Sequence, residues 1–228
     1  MHAILLSPLW LSLKTATIAT IVVFIVGTML ARLFARNSFR GKSIVEAIVL
    51  LPLVLPPTVV GFGLLYIFGS NGLIGKYLLD TFHVQIVFTS SAVIVAAIVV
   101  SFPLMYQSAS AAFQQYDANL ERAAYTMGAS KWKVFWTISF PLAWPGLLAG
   151  VVLTFARALG EFGATLMFAG YMPNVTDTIP LAIYFAVESG HIELATFWVT
   201  IIVVLGFSAI LWLNWWNKRH KWRYSEKK

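Results

Sequence analysis

Two stretches of this sequence set ionisable residues among glycines and alanines in otherwise apolar surroundings. The first is FARALGEFGATLMFAG, residues 155–170. It spaces Arg157 and Glu161 four apart, the separation at which opposite charges pair on one helix face. A guanidinium held by a carboxylate in an apolar setting does one of two things. It fixes helix packing, or it lends positive potential to a path for an anion. Spacing leaves both readings open. Gly160, Gly163 and Gly170 permit a helix break or a close backbone approach. The second stretch is ERAAYTMGASKWKVFWTISFPLAWP, residues 121–145. Asp117 is placed to cap a short helix, and Glu121 in its first turn suits the helix dipole. Ala123, Ala124 and Met127 fall on neighbouring helical positions, Gly128 ends the helix, and a second short turn follows over 130–134. Glu121, Arg122 and Lys131 are expected to pair at the rim of this small-residue face. Such a surface suits docking into a groove on another protein, although a solvated helix–turn–helix connector has the same pattern.

Other chemistries find no residues. There is no cysteine, so disulfide, thiolate-zinc and iron–sulfur readings fall away. His2, His83, His191 and His220 lie in different segments, which argues against a metal site. Serine, histidine and acidic residues show no nucleophilic-triad spacing. The one G-K-[ST] is Gly41-Lys42-Ser43, but a phosphate-binding loop also needs glycine where Arg36 stands. The glycines at 61 and 63 do not complete a dinucleotide fingerprint, and Asn174-Val175-Thr176 reads as a turn beside Pro173.

The elements that must position these stretches are membrane spans. Of 228 residues, 59% are hydrophobic and 11% charged, against about a quarter charged in soluble domains. A bilayer core asks for about 20 apolar helical residues. Five stretches qualify, at about 15–32, 44–68, 84–106, 138–159 and 194–216. Prolines 52, 56 and 57 are expected to kink the second and free backbone carbonyls. The first is not a signal peptide in pattern, because its basic cluster follows the apolar run. That cluster is Arg32, Arg36, Arg40 and Lys42. With five spans it falls on one side with Arg122, Lys131 and Lys133 and with the tail cations Lys218, Arg219, Lys221, Arg223, Lys227 and Lys228. By the positive-inside rule that side is the cytoplasm, the N-terminus is outside and the C-terminus inside. The net charge of +7 is then mainly an orientation signal, supplemented by anionic lipid, and not a nucleic-acid footprint. Trp212, Trp215 and Trp216 read as an inner-interface belt. Residues 72–84 and 180–187 have the spacing of short helices on the outer side. With no internal repeat or low-complexity linker, residues 1–228 read as one transmembrane domain.

The pattern E-x-A-A-x-x-x-G, nine residues, then I-x-x-P is met by Glu121, Ala123, Ala124, Gly128, Ile138 and Pro141. It resembles the EAA loop of bacterial ABC-importer permeases, with Phe140 where the family usually has leucine. The resemblance implies an all-α, five-span, type I permease core. It implies that the loop at about 117–134 docks on a separate ATP-hydrolysing subunit, through Glu121, Arg122, Ala123, Ala124, Met127, Gly128 and Lys131. The chain itself then carries no cofactor, and ATP and magnesium belong to the partner ATPase. The stretches LPLVLPPTVVGF (51–62), 155–170 and TIPLAIYFAVESG (178–190) resemble the permeases of the molybdate, tungstate and sulfate group. On that resemblance Arg157, Glu161, Gly160, Gly163, Pro56 and Pro57 are candidates for the anion path or gate. It also implies a second permease copy, a pair of ATPase subunits and an external oxyanion-binding protein. Sulfate permeases of the group tend to carry an extra N-terminal span, and this chain begins at the five-span core, which favours molybdate. The physics of doubly charged tetrahedra does not choose between molybdate, tungstate, sulfate and thiosulfate. A secondary transporter or channel working without ATP is the alternative of another class. For a membrane enzyme there is no catalytic constellation.

Overall fold

Proline and glycine set the breaks in this chain, and small residues set how closely its helices approach. A computed structural model describes residues 2–37 and 39–225, with side chains placed for 6–37, 39–212 and 215. The side chains of the tail cations, of Trp216 and of His2 and His220 lie outside the described residues. The described residues form helices only. They are α1 (His2–Arg36), α2 (Lys42–Val54), α3 (Pro57–Phe68), α4 (Leu73–Phe82), α5 (Ser90–Gln115), α6 (Ala118–Thr126), α7 (Lys131–Val134), α8 (Phe140–Leu159), α9 (Gly163–Ala169), α10 (Ile179–Glu188) and α11 (Ile192–Ser225). A π-helical turn, Phe135–Ser139, joins α7 to α8 without interruption.

α5 is the central post, with α1 and α8 against it. The close approach is made by small residues. A Cβ at Gly146 would lie 2.6 Å from Ala112 Cβ, and one at Gly150 would lie 2.8 Å from Ser108 Cβ. Ala16 and Ala19 on α1, Ala97 on α5 and Ala158 on α8 form a buried alanine cluster. In a bilayer, apolar side chains gain little by leaving lipid, so backbone proximity through small residues is what holds spans together. Thr89 starts α5 by accepting the Ala92 N–H. α11 lies at the periphery with few buried residues.

Helix ends depart from the expected span ends. α1 begins well before residue 15, and α5 continues to Gln115, past 106. Hydropathy falls where Gln107, Ser108 and Ser110 begin, but nothing in those residues stops a helix. The helical stretch leading into span four starts at Lys131 rather than 138. Among the described residues, four helical stretches are long and apolar enough to cross a bilayer, and a fifth span exists only if α2 and α3 count as one. The expected kink is in fact a fold-back, with the axes of α2 and α3 at 116°. The reason is the proline pair. Pro56 drives Leu55 out of the helical region to ψ 143°, Pro56 itself is extended at ψ 137°, and Pro57 opens the next helix at N1. The segment at 72–84 holds α4, and that at 180–187 holds α10, whose buried residues include Ile179 and Ala182, packed against α11 and α1.

Candidate functional site

The loop between α5 and α8 is built by three local devices. Asp117 accepts the Asn119 N–H at 2.8 Å and starts α6. Gly128, at φ +83°, closes it, and the Ala129 N–H reaches back to the Ala124 carbonyl at 3.0 Å. This is the left-handed C-terminal cap that glycine makes without strain. Ser130 then accepts the Lys133 N–H and starts α7.

Glu121 is not at the rim, contrary to the expected pairing with Arg122 and Lys131. It is 4% exposed. Its Oε2 accepts from Arg32 at 3.0 Å, and its Oε1 accepts from Arg36 at 2.9 Å and from Ser139 Oγ at 2.7 Å. The Tyr116 hydroxyl also donates to it. Arg32 donates to Tyr116 as well, at 3.2 Å, and lies 5.6 Å from the Phe113 ring centre. Arg36 sits 5.0 Å from the ring centre of Tyr116. One carboxylate thus ties α6 to α1, to the end of α5 and to the π turn that begins α8. Burial alone would push this carboxyl up. The donors Arg32, Tyr116 and Ser139 outweigh burial and hold it down at about 2.

The small-residue face divides. Ala124 turns inward with Glu121, whereas Ala123, Arg122, Lys131 and Met127 face outward, Met127 at 81% exposed. The physical reason is that the inward stripe of a nine-residue helix is narrow, and Glu121 and Ala124, three apart, take it. Sequence reasoning read Arg32 and Arg36 only as an orientation signal and did not single out Tyr116 or Ser139. The usable clue was the i,i+4 pair of arginines at the end of α1, which presents two guanidiniums on one face. Glu46 was missed in the same way. Inside the second apolar stretch, it accepts from the Tyr106 hydroxyl at 2.9 Å.

The second region lies beyond the other end of α8. Arg157 and Glu161 pair at 2.6 Å, but not along one helix face, because α8 stops at Leu159. Glu161 is past the end, 3% exposed, and its other oxygen accepts the Ala164 N–H at 2.8 Å, capping α9. Gly160 closes α8. Gly163 lets α9 reach α3: a Cβ there would lie 3.0 Å from Pro57 Cβ. A Cβ on Gly61 would lie 2.8 Å from Ala164 Cα. The structure therefore brings Gly163 together with Pro57, next to Pro56, and places Arg157, Gly160 and Glu161 at the adjoining break. Two interrupted helices pack with their breaks side by side, the arrangement by which membrane proteins place irregular backbone within protein. α8, 20 residues long and about 30 Å, connects the two regions.

The chain belongs to the family described as binding-protein-dependent transport system inner membrane component, whose model matches residues 6–222. It is 51% identical over 208 residues to YvgM of Bacillus subtilis strain 168, named for molybdenum transport as a permease, covering 91% of this chain and 92% of that one. To the molybdenum transport system permease protein ModB of Haemophilus influenzae it is 40% identical, over 94% of each chain. A sulfate transport permease protein of Marchantia polymorpha is 34% identical over 94% of this chain and 74% of its own length. Among solved structures, a bacterial ABC transporter importing alginate matches with TM-score 0.75 at 18% identity, over 94% of this chain and 79% of that one. The MetNI methionine transporter matches with TM-score 0.71 at 16% identity. These likenesses show the permease fold. The family and the apolar helices place the chain in the cytoplasmic membrane as a multi-pass protein.

Proposed function

We propose that this chain is the membrane-spanning subunit of an ATP-driven molybdate importer. Two copies stand side by side with the anion path between them. A pair of ATPase subunits, which bind ATP and magnesium, docks on α6 and α7 from the cytoplasm, and a loaded oxyanion-binding protein docks outside. The N-terminus is external and the C-terminus cytoplasmic, because the cations at Arg32–Lys42, in the α6–α7 loop and in the tail share one side under the positive-inside rule. The relatives named for molybdenum transport, at 40–51% identity, support this cargo over sulfate.

The observation that carries the reading is Glu121. It receives donors from α1, the end of α5 and the π turn, so a push on the exposed face of α6 reaches three elements at once. The ATPase contact centres on Ala123 and Met127 on the outer face, with Arg122 and Lys131 at its margin, where they face the end of α1. Glu121, Ala124 and Gly128 set the shape behind it. ATP binding closes the ATPase pair, α8 transmits the displacement, and the paired breaks at Pro56–Pro57 and Gly160–Gly163 reorganise. Arg157, steadied by Glu161, supplies positive potential to the anion. Hydrolysis resets the path inward.

The test is uptake of labelled molybdate into vesicles holding the chain, its ATPase and its binding protein, with and without internal ATP. ATP-dependent uptake blocked by tungstate but not by sulfate supports the reading. Strong inhibition by sulfate, with uptake of labelled sulfate, moves the cargo to that branch. Uptake without ATP or partners places the chain among secondary transporters or channels.

A further inference from the structure

Two cavities meet where the end of α1 passes the α6–α7 loop. The first, about 670 Å³, is lined by Arg32, Arg36, Arg122 and Lys131, with Glu121 as its one acidic residue. Glu121 is already shared between Arg32 and Arg36, and Arg122 and Lys131 form no ion pair among the described residues. Four cations against one carboxylate leave the cavity strongly positive. The second, about 420 Å³, is apolar and lies along the outward face of α1 at Ile25 and Met29, walled by Trp132 and Trp136. Both volumes fall in the range of about 300–1,000 Å³ of ligand sites. Arg32, Leu33 and Phe135 line both. The two therefore adjoin across these three residues, a cationic head beside an apolar tail.

From this juxtaposition we infer that the site holds one anionic phospholipid. Its phosphate sits among Arg36, Arg122 and Lys131, and an acyl chain lies along Ile25 and Met29. Several observations fix the occupant's chemistry. The apolar half runs up the face of α1, a helix long and apolar enough to span, so it opens to lipid and not to water. Trp132, at 72% exposed, and Trp136 wall the apolar half beside Phe135, which lines both halves; amphipathic rings of this kind mark the membrane interface. Basic residues at that depth attract anionic headgroups. A soluble protein segment matches the basic half but has no access to the apolar half. An inorganic anion has no use for the apolar half. The inference depends on the membrane setting of the chain, and not on the cargo or on which leaflet the loop faces. Because the headgroup bridges α1 and α7, the bound lipid braces the loop against α1 in parallel with Glu121.

The experiment is native mass spectrometry of the full chain released from nanodiscs of equimolar phosphatidylglycerol and phosphatidylcholine. Phosphatidylglycerol is expected to be retained over phosphatidylcholine by roughly tenfold or more. Filling the groove with Ile25→Trp and Met29→Trp is expected to lower that retention several-fold while leaving every cation in place. Arg122→Gln with Lys131→Gln is expected to abolish the headgroup preference. Equal retention of the two lipids overturns the proposal, whatever the variants do. Displacement of phosphatidylglycerol by excess inorganic phosphate, or full retention by the groove-filled variant, shows a simple anion site instead and also overturns it. The wild-type preference and the phosphate competition need no variant, so a misfolded variant leaves the test intact.

Discussion

Glu121 and Glu161 are both buried acids paired with arginine, one before α8 and one after it, and they are held by different kinds of partner. Glu121 takes guanidinium donors 89 and 85 positions away in the chain, with Ser139 18 positions on. Glu161 takes Arg157 four positions back and the Ala164 N–H three positions on. A group satisfied by remote elements fails when those elements separate, so it reports and transmits their relative position. A group satisfied locally travels as a unit with its own turn. The loop end of α8 is thus a joint between remote elements, and the Arg157–Glu161 pair is a local brace on its own turn. That division suits an importer in which force enters at one end and the path rearranges at the other.

The comparison is broken most severely by Glu121→Ala. It leaves the half-buried Arg32 and Arg36 without their carboxylate, a loss of about 3 kcal/mol. Hydrogen exchange over 118–129 should rise to unprotected rates while the spans stay protected. Unchanged protection there would remove the joint.

Acid does the same reversibly. The Glu121 carboxyl titrates at about 2 in the folded chain against an ordinary 4.5. Its stabilisation, roughly 3–4 kcal/mol from the usual 1.4 kcal/mol per unit, is fully present above about pH 4.5 and is lost as pH falls toward 2. Exchange of the same amides, followed against pH, should show this acid limb. Glu121→Gln, which does not titrate, should flatten it; an identical limb in that variant assigns the titration to another group.

At the other end, Gly61→Ala tests the packing of the two breaks. The added methyl would press on the backbone of Ala164, an overpacking effect of about 1–3 kcal/mol. Thermal stability in detergent should drop by that amount, with the α6–α7 loop unaffected. Coupled loosening of both regions would mean that they are not separate joints.

Arg157→Ala should be milder, about 1–2 kcal/mol, because Glu161 keeps the Ala164 N–H. Uptake should fall while assembly with the ATPase stays normal. Accumulation of unassembled subunits would make the pair purely structural. Smallest in stability, about 1 kcal/mol for an Asp held at φ +83°, is Gly128→Asp. It should insert normally yet lose ATPase co-purification, and normal ATPase binding would sink the docking role of the loop.

Much of this was readable before any fold was known. The apolar stretches, the Asp117 cap, the Gly128 stop and the break at Pro56–Pro57 all follow from local chemistry. A cap needs only the next three residues, and a proline acts on its own neighbours. Glu161 was found for the same reason, since its partners are four and three positions away. What remained hidden was direction and distance. Spacing put Glu121 at a solvated rim, and only packing showed it turned inward against Arg32 and Arg36. Spacing made span two a kink, and only the backbone showed a 116° fold-back. The encounter of Gly163 with Pro57, and the junction of a basic cavity with an apolar groove, have no signature in the order of residues. They arise when helices far apart in the chain share a face. The sequence by itself therefore determined which segments are helical, where a cap, a glycine or a proline pair interrupts them, and which carry charge. The tertiary structure decided which buried charge answers which, because an ion pair in a low-dielectric interior forms with whichever donors the packing delivers.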